Sequence, residues 1–122
     1  MNKLRSVIFL GCILLFPFLL GCNKVVDPSE MEDIILWLDA ASISGLGDGD
    51  SVEVWNDLSG NGNDAVAVEP GAGPTYIESF HNGLAALGFN GIDDILVVAH
   101  NDQLNFGFDS FTIAVVYQLD PE

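Results

Sequence analysis

Asp57, Ser59, Asn61, Asn63 and Asp64 crowd into the run Asp57-Leu58-Ser59-Gly60-Asn61-Gly62-Asn63-Asp64. Oxygen donors at alternate positions with glycines between them are how a loop wraps its side chains round a hard cation such as calcium. The spacing then breaks down, because the position that would close such a loop with a bidentate acid is Val68, and Glu69 lies one residue late. A turn of Gly and Asn residues, whose side chains bond to their own main chain, accounts for the same letters without metal. Both readings of the loop stand at this level. Asn90-Gly91-Ile92-Asp93-Asp94 joins an Asn-Gly step, which predicts a tight reversal between strands, to two adjacent acids. In extended chain those acids face opposite ways and cannot serve as an acid and base pair; they read as a solvated turn or as a cation or sugar contact. Trp37, Trp55, Tyr76 and Tyr117 can stack on sugar rings, although an aromatic residue inside a strand is more often core.

Other chemistry lacks its parts. His81 and His100 have no second histidine or cysteine at metal-ligand spacing, and are expected to be ordinary strand-end residues. No Gly-x-Ser-x-Gly elbow and no phosphate loop occurs. Within the chain no catalytic motif is legible.

The elements that must position these residues are short. From Ile34 onward, brief apolar runs alternate with Gly, Asn, Asp and Pro: Ile34–Leu38, Val52–Trp55, Ala65–Val68, Thr75–Phe80, Ala86–Phe89, Ile95–His100 and Phe111–Leu119. Short strands are predicted for all of them. In the last run Phe111, Ile113, Val115, Tyr117 and Leu119 alternate with Thr112, Ala114, Val116 and Gln118, the period of a strand. Its second face is partly apolar too, which predicts an interior strand. Met31–Ala41 is the one helical competitor, cut short by Gly45 and Gly47. Gly45–Asp50 reads as a loop. An all-β antiparallel sandwich follows.

The N-terminal segment says where the chain goes. Lys3 and Arg5 precede an apolar stretch, Val7–Leu20, that is shorter than the roughly 20 residues needed to span a bilayer. It ends in Leu19-Leu20-Gly21-Cys22, which resembles a bacterial lipobox. That resemblance implies a signal peptide over residues 1–21, cleavage before Cys22 and acylation of its thiol, with palmitate as one of the chains, and a membrane partner reached through the lipid. Asn23 is not the aspartate that retains enterobacterial lipoproteins at the inner membrane, so an outer-membrane or cell-surface place in the envelope is expected. Residues 22–32 then form a polar tether and residues 33–122 the domain. Lys3 and Arg5 are two of the chain's three basic residues, and all 18 acids lie beyond them; residues 22–122 carry one base and a formal charge of −17. So acidic a surface argues against nucleic acid as a partner, and leaves cations and neutral polymers. With Cys12 lost and Cys22 acylated, no disulfide can form in the mature chain.

Leu36-Trp37-Leu38-Asp39-Ala40, Gly45-Leu46-Gly47-Asp48-Gly49, Val54-Trp55-Asn56-Asp57-Leu58-Ser59-Gly60-Asn61-Gly62-Asn63-Asp64-Ala65, Pro74-Thr75-Tyr76, Leu87-Gly88-Phe89-Asn90-Gly91-Ile92-Asp93-Asp94-Ile95-Leu96 and Ser110-Phe111-Thr112-Ile113-Ala114 follow one another in this order. The series resembles bacterial concanavalin A-like, laminin G-like jelly-roll domains. The resemblance implies two curved antiparallel sheets face to face, binding of polysaccharide or glycoprotein glycans or adhesion at a cell surface, and calcium in some relatives. Such domains are longer than residues 33–122, which would form the N-terminal part of one, incomplete at its C-terminus. Some relatives are glycoside hydrolases or polysaccharide lyases, the laminarinase type using a Glu-x-Asp-x-x-Glu strand, which implies as an alternative the non-catalytic front of such an enzyme; a structural interaction domain with no sugar site is equally compatible with the sequence. The Glu-x-Asp-x-x-Glu spacing is absent from this chain.

Overall fold

The computed structural model describes the backbone of residues 5–9, and residues 27–119. The strands are β1 (Arg5–Phe9), β2 (Ile34–Leu38), β3 (Val54–Trp55), β4 (Ala65–Ala67), β5 (Thr75–His81), β6 (Leu84–Gly88), β7 (Leu96–Val98) and β8 (Phe111–Ala114). Single 3-10 turns at Pro28–Glu30, Ala40–Ser42 and Asp102–Leu104 are the only helical elements among the described residues, so the chain is all-β. Met31–Ala41 is not a helix. Ile35, Leu36 and Leu38 are buried from a strand, and Asp39 ends it by accepting the Ala41 N–H at 2.9 Å.

Among the described residues three sheets form, in the orders β2-β1-β8, β3-β4-β7 and β5-β6. The second and third are antiparallel, as expected. The first is not: β1 runs parallel to β2 and to β8. Parallel neighbours cannot be joined by a tight hairpin, and both pairs are well separated in sequence, β1 ending at Phe9 while β2 begins at Ile34 and β8 at Phe111. The segment read as the start of a signal peptide thus lies between β2 and β8.

The tight hairpin is at Asn82-Gly83, joining β5 to β6, with φ of 52° and 78°. Two positive φ values in succession are what a type I′ turn needs, and Asn-Gly meets that at least cost. Asn90-Gly91, predicted to reverse the chain between paired strands, instead links β6 to β7, which belong to different sheets. The same dipeptide serves two geometries because the partner strands decide which one closes.

Leu36, Leu38 and Ala65 form the centre of the core, with Trp55, Leu96, Val98 and Phe106 packed round them. This cluster joins β2 to the sheet of β3, β4 and β7. Val52 and Pro74 are fully buried as well, and the Val52 N–H donates to the Pro74 carbonyl at 2.8 Å. β8 differs from expectation in two respects. It is regular only over Phe111–Ala114, short of Leu119, and it lies at a sheet edge, with Phe111 and Ile113 about half exposed. Two apolar faces anticipated an interior strand, but among the described residues only β1 pairs with it.

Candidate functional site

The loop Asp57–Asp64 closes the edge of β2 that β1 leaves free. Residues two apart in a strand point their polar groups to the same edge, and here those of Ile35 and Trp37 meet the loop. The Trp37 N–H donates to Asp57 Oδ1 at 2.9 Å, and the Leu58 N–H donates to the Trp37 carbonyl at 2.8 Å. The Ile35 carbonyl accepts from Ser59 Oγ at 3.0 Å, Asn63 Nδ2 at 2.8 Å and Asn61 Nδ2 at 3.2 Å. Asn61 Nδ2 also reaches the Ile34 carbonyl. Side chains thus do for β2 what a neighbouring strand would do.

Asp57 organises the loop. Its Oδ1 accepts from the Trp37 and Ser59 N–H groups, and its Oδ2 from Ser59 Oγ at 2.6 Å and the Asn63 N–H at 3.0 Å. Partial burial pushes the carboxyl up, but the hydrogen bonds from Ser59, Trp37 and Asn63 together outweigh it and hold the group below the ordinary carboxylate range. Other oxygens of the loop are engaged as well. Asp64 Oδ1 accepts the Asp57 N–H, Asn61 Oδ1 accepts from Gln103 Nε2, and Asn63 Oδ1 accepts from Asn101 Nδ2. Asn63, only 2 % exposed, has its amide satisfied in this way. The loop is thus a hydrogen-bonded turn, and no group of three His, Cys, Asp or Glu side chains among the described residues is placed to hold a metal.

Asn101 and Gln103, which fasten the 3-10 turn at Asp102–Leu104 to this loop, were not legible as part of it. A local signal existed, since Asn101 caps that turn by accepting from the Gln103 and Leu104 N–H groups. Its contact with Asn63 spans a distance in sequence that no spacing rule covers.

A second site is a surface groove of about 370 Å³, lined among others by Ser51, Gly73, Thr75, Phe89, Asn90 and Asp94. One lining position is tight: a Cβ on Gly73 would collide with the Val52 carbonyl, so only glycine fits there. Its rim is the Asn90 turn. Asn90 Oδ1 accepts the N–H groups of Ile92, Asp93 and Asp94, and its Nδ2 donates to Asp93 Oδ1 at 2.8 Å and Asp94 Oδ1 at 3.0 Å. Asp94 Oδ2 takes the Asn90 N–H at 2.7 Å. The two acids are therefore brought together by Asn90, through bent rather than extended backbone. Phe89 is 53 % exposed at this groove. An aromatic residue between Gly88 and Asn90 sits in turn composition, which was the available sign that it belongs to the surface.

The aromatic residues singled out for sugar stacking lie elsewhere. Tyr76 is buried and Trp55 packs on the core cluster, so neither offers a free ring face. Trp37 is half-buried in β2, and its indole N–H is buried with no acceptor among the described residues. Tyr117 is largely exposed beyond β8. His81 ends β5, and His100 follows β7 in a loop. Cys22, with the rest of residues 10–26, lies outside the described residues, as do residues 120–122. Among the described residues no helix is long and apolar enough to cross a membrane. Comparison with protein-family models, curated proteins and solved structures gives no match.

Proposed function

We propose that this chain is a lipid-anchored protein of the bacterial envelope, held by an acylated Cys22, whose concanavalin A-like jelly-roll sandwich binds uncharged glycans in the groove beside Phe89. The observation that carries the reading is the groove's mixed chemistry. Phe89, about half exposed, lines the groove together with the polar residues Ser51, Thr75, Asn90 and Asp94. A sugar ring presents an apolar C–H face and a rim of hydroxyl donors, and this pairing suits both. A formal charge of −17 over residues 22–122 turns away anionic polymers and leaves neutral ones. The glycan contacts move from Trp37, Trp55 and Tyr76 to Phe89, since a stacking ring has to be accessible.

Two experiments test the parts separately. Calorimetry of the full chain against neutral oligosaccharides should show binding that falls about tenfold in Phe89→Ala, the loss of one aromatic contact, with the melting temperature unchanged. Binding that survives Phe89→Ala, or acidic glycans preferred over neutral ones, would overturn the groove. For the anchor, Cys22→Ala should abolish incorporation of labelled palmitate, and persistent labelling would overturn it.

A further inference from the structure

β8 has β1 as its only strand neighbour among the described residues, with Arg5, Ser6, Val7 and Ile8 in parallel register with Phe111, Thr112, Ile113 and Ala114. On its other edge β1 pairs with β2, Val7 opposite Leu36, Ile8 opposite Trp37 and Phe9 opposite Leu38. A five-residue segment therefore supplies a whole interior lane of the sheet, and that segment belongs to the stretch whose sequence marks it for removal. We infer that the lane between β2 and β8 is a strand-acceptor site, filled in cis by Arg5–Phe9 and open, once that segment leaves, to an extended apolar strand of a partner protein.

The chemistry of the occupant follows from the lane. Backbone groups of β2 and β8 demand an extended peptide running parallel to both. An interior position asks for apolar residues, as in Val7-Ile8-Phe9. Charge adds direction: residues 22–122 carry −17, whereas Lys3 and Arg5 lead the cis strand, so the partner strand is one preceded by basic residues. Release by cleavage before Cys22 rests on the lipoprotein reading. The acceptor lane itself does not.

The test uses the full chain. Val7 and Ile8 point their N–H groups to opposite edges of β1, so Val7→Pro with Ile8→Pro removes a donor from each ladder. In that double variant, amide exchange in Phe111–Ala114 should accelerate at least tenfold while the β5–β6 hairpin keeps its protection. Adding the synthetic peptide Asn2–Gly11 should restore protection of β8. The same peptide carrying both prolines should not, and one with Lys3→Glu and Arg5→Glu should bind more weakly. Unchanged β8 exchange in the variant, or failure of the peptide to restore it, would overturn the inference. So would a dimer that protects β8 without peptide, which would make a second copy the occupant. Should the proline variant lose the hairpin as well, a Val7→Cys, Ile113→Cys pair in a Cys12→Ser, Cys22→Ser background decides the matter. Those positions are in register, and oxidation should link them, whereas a Val7→Cys, Leu119→Cys pair should stay reduced. No linkage of the first pair would overturn the lane.

Discussion

β2 and β8 flank the same strand, yet their outer edges are built from opposite materials. Beyond β2, Asp57, Ser59, Asn61 and Asn63 answer the backbone of Ile35 and Trp37 with side-chain hydrogen bonds, and three of the strand's five residues are buried. Beyond β8 no strand pairs among the described residues, and none of its four residues is buried. Phe111 stacks on Phe106 at 4.5 Å between ring centres, which shields one ring face and little else. Unpaired strand edges invite other chains. One side of the sheet is thus closed by polar residues acting as a substitute strand, and the other is left able to associate. Polar side chains near a sheet need not mark a ligand, and apolar ones in a strand need not mark the core.

The sharpest way to break this comparison is Asp57→Ala. It removes the acceptor for four donors, one of them the Trp37 N–H, and should cost about 3 kcal/mol of stability in urea unfolding. A loss under about 1 kcal/mol would mean that β2 does not depend on the loop.

Acid should reach the closed edge through the same residue. The folded-state pKa of Asp57 lies below its unfolded value of about 3.9, so its contribution is complete above that pH and is lost as pH falls through the folded value. The stability gap between the parent chain and Asp57→Asn, followed by urea unfolding from pH 7 down to pH 2, should therefore narrow below about pH 4. A gap that stays constant would show that the charge of Asp57 plays no part.

Asn63→Ala should cost about 1–2 kcal/mol, because the residue is buried and its loss strips a donor from the Ile35 carbonyl and an acceptor from Asn101. Asn61, which is exposed, should cost about half as much, although it contacts the same strand. Equal costs would indicate that burial does not set the strength of the cap. The smallest effect belongs to the open edge. Ile113→Thr, at a position 55 % exposed, should change stability by less than about 0.5 kcal/mol while reducing self-association in light scattering. A large loss of stability there would mean that β8 is covered after all.

Strand positions were largely legible because apolar runs between turn residues need no tertiary context: Ile34–Leu38 was read to the residue, and Ala65–Val68 and Thr75–Phe80 to within one. The hairpin at Asn82-Gly83 carried as clear a local signal as Asn90-Gly91. Only the pairing of β5 with β6 shows which of the two turns a chain back on its partner. For the loop, the letters Asp57 to Asp64 announced a polar turn with converging oxygens, but not what they converge on. Their targets, the Ile35 carbonyl and the Trp37 N–H, lie some twenty residues upstream, and Asn101 reaches Asn63 from still further downstream.

Residue type and near-neighbour spacing were enough for the all-β class, the short strands and their turns, and the acidic composition. Strand order was decided only in three dimensions. Whether Ile113 is interior or at an edge, whether Arg5–Phe9 pairs with β2 and β8, and which distant N–H groups Asp57 meets depend on which backbone groups lie opposite. Hydrogen-bond partners distant in the chain are selected by the folded sheet as a whole, and no local pattern encodes them.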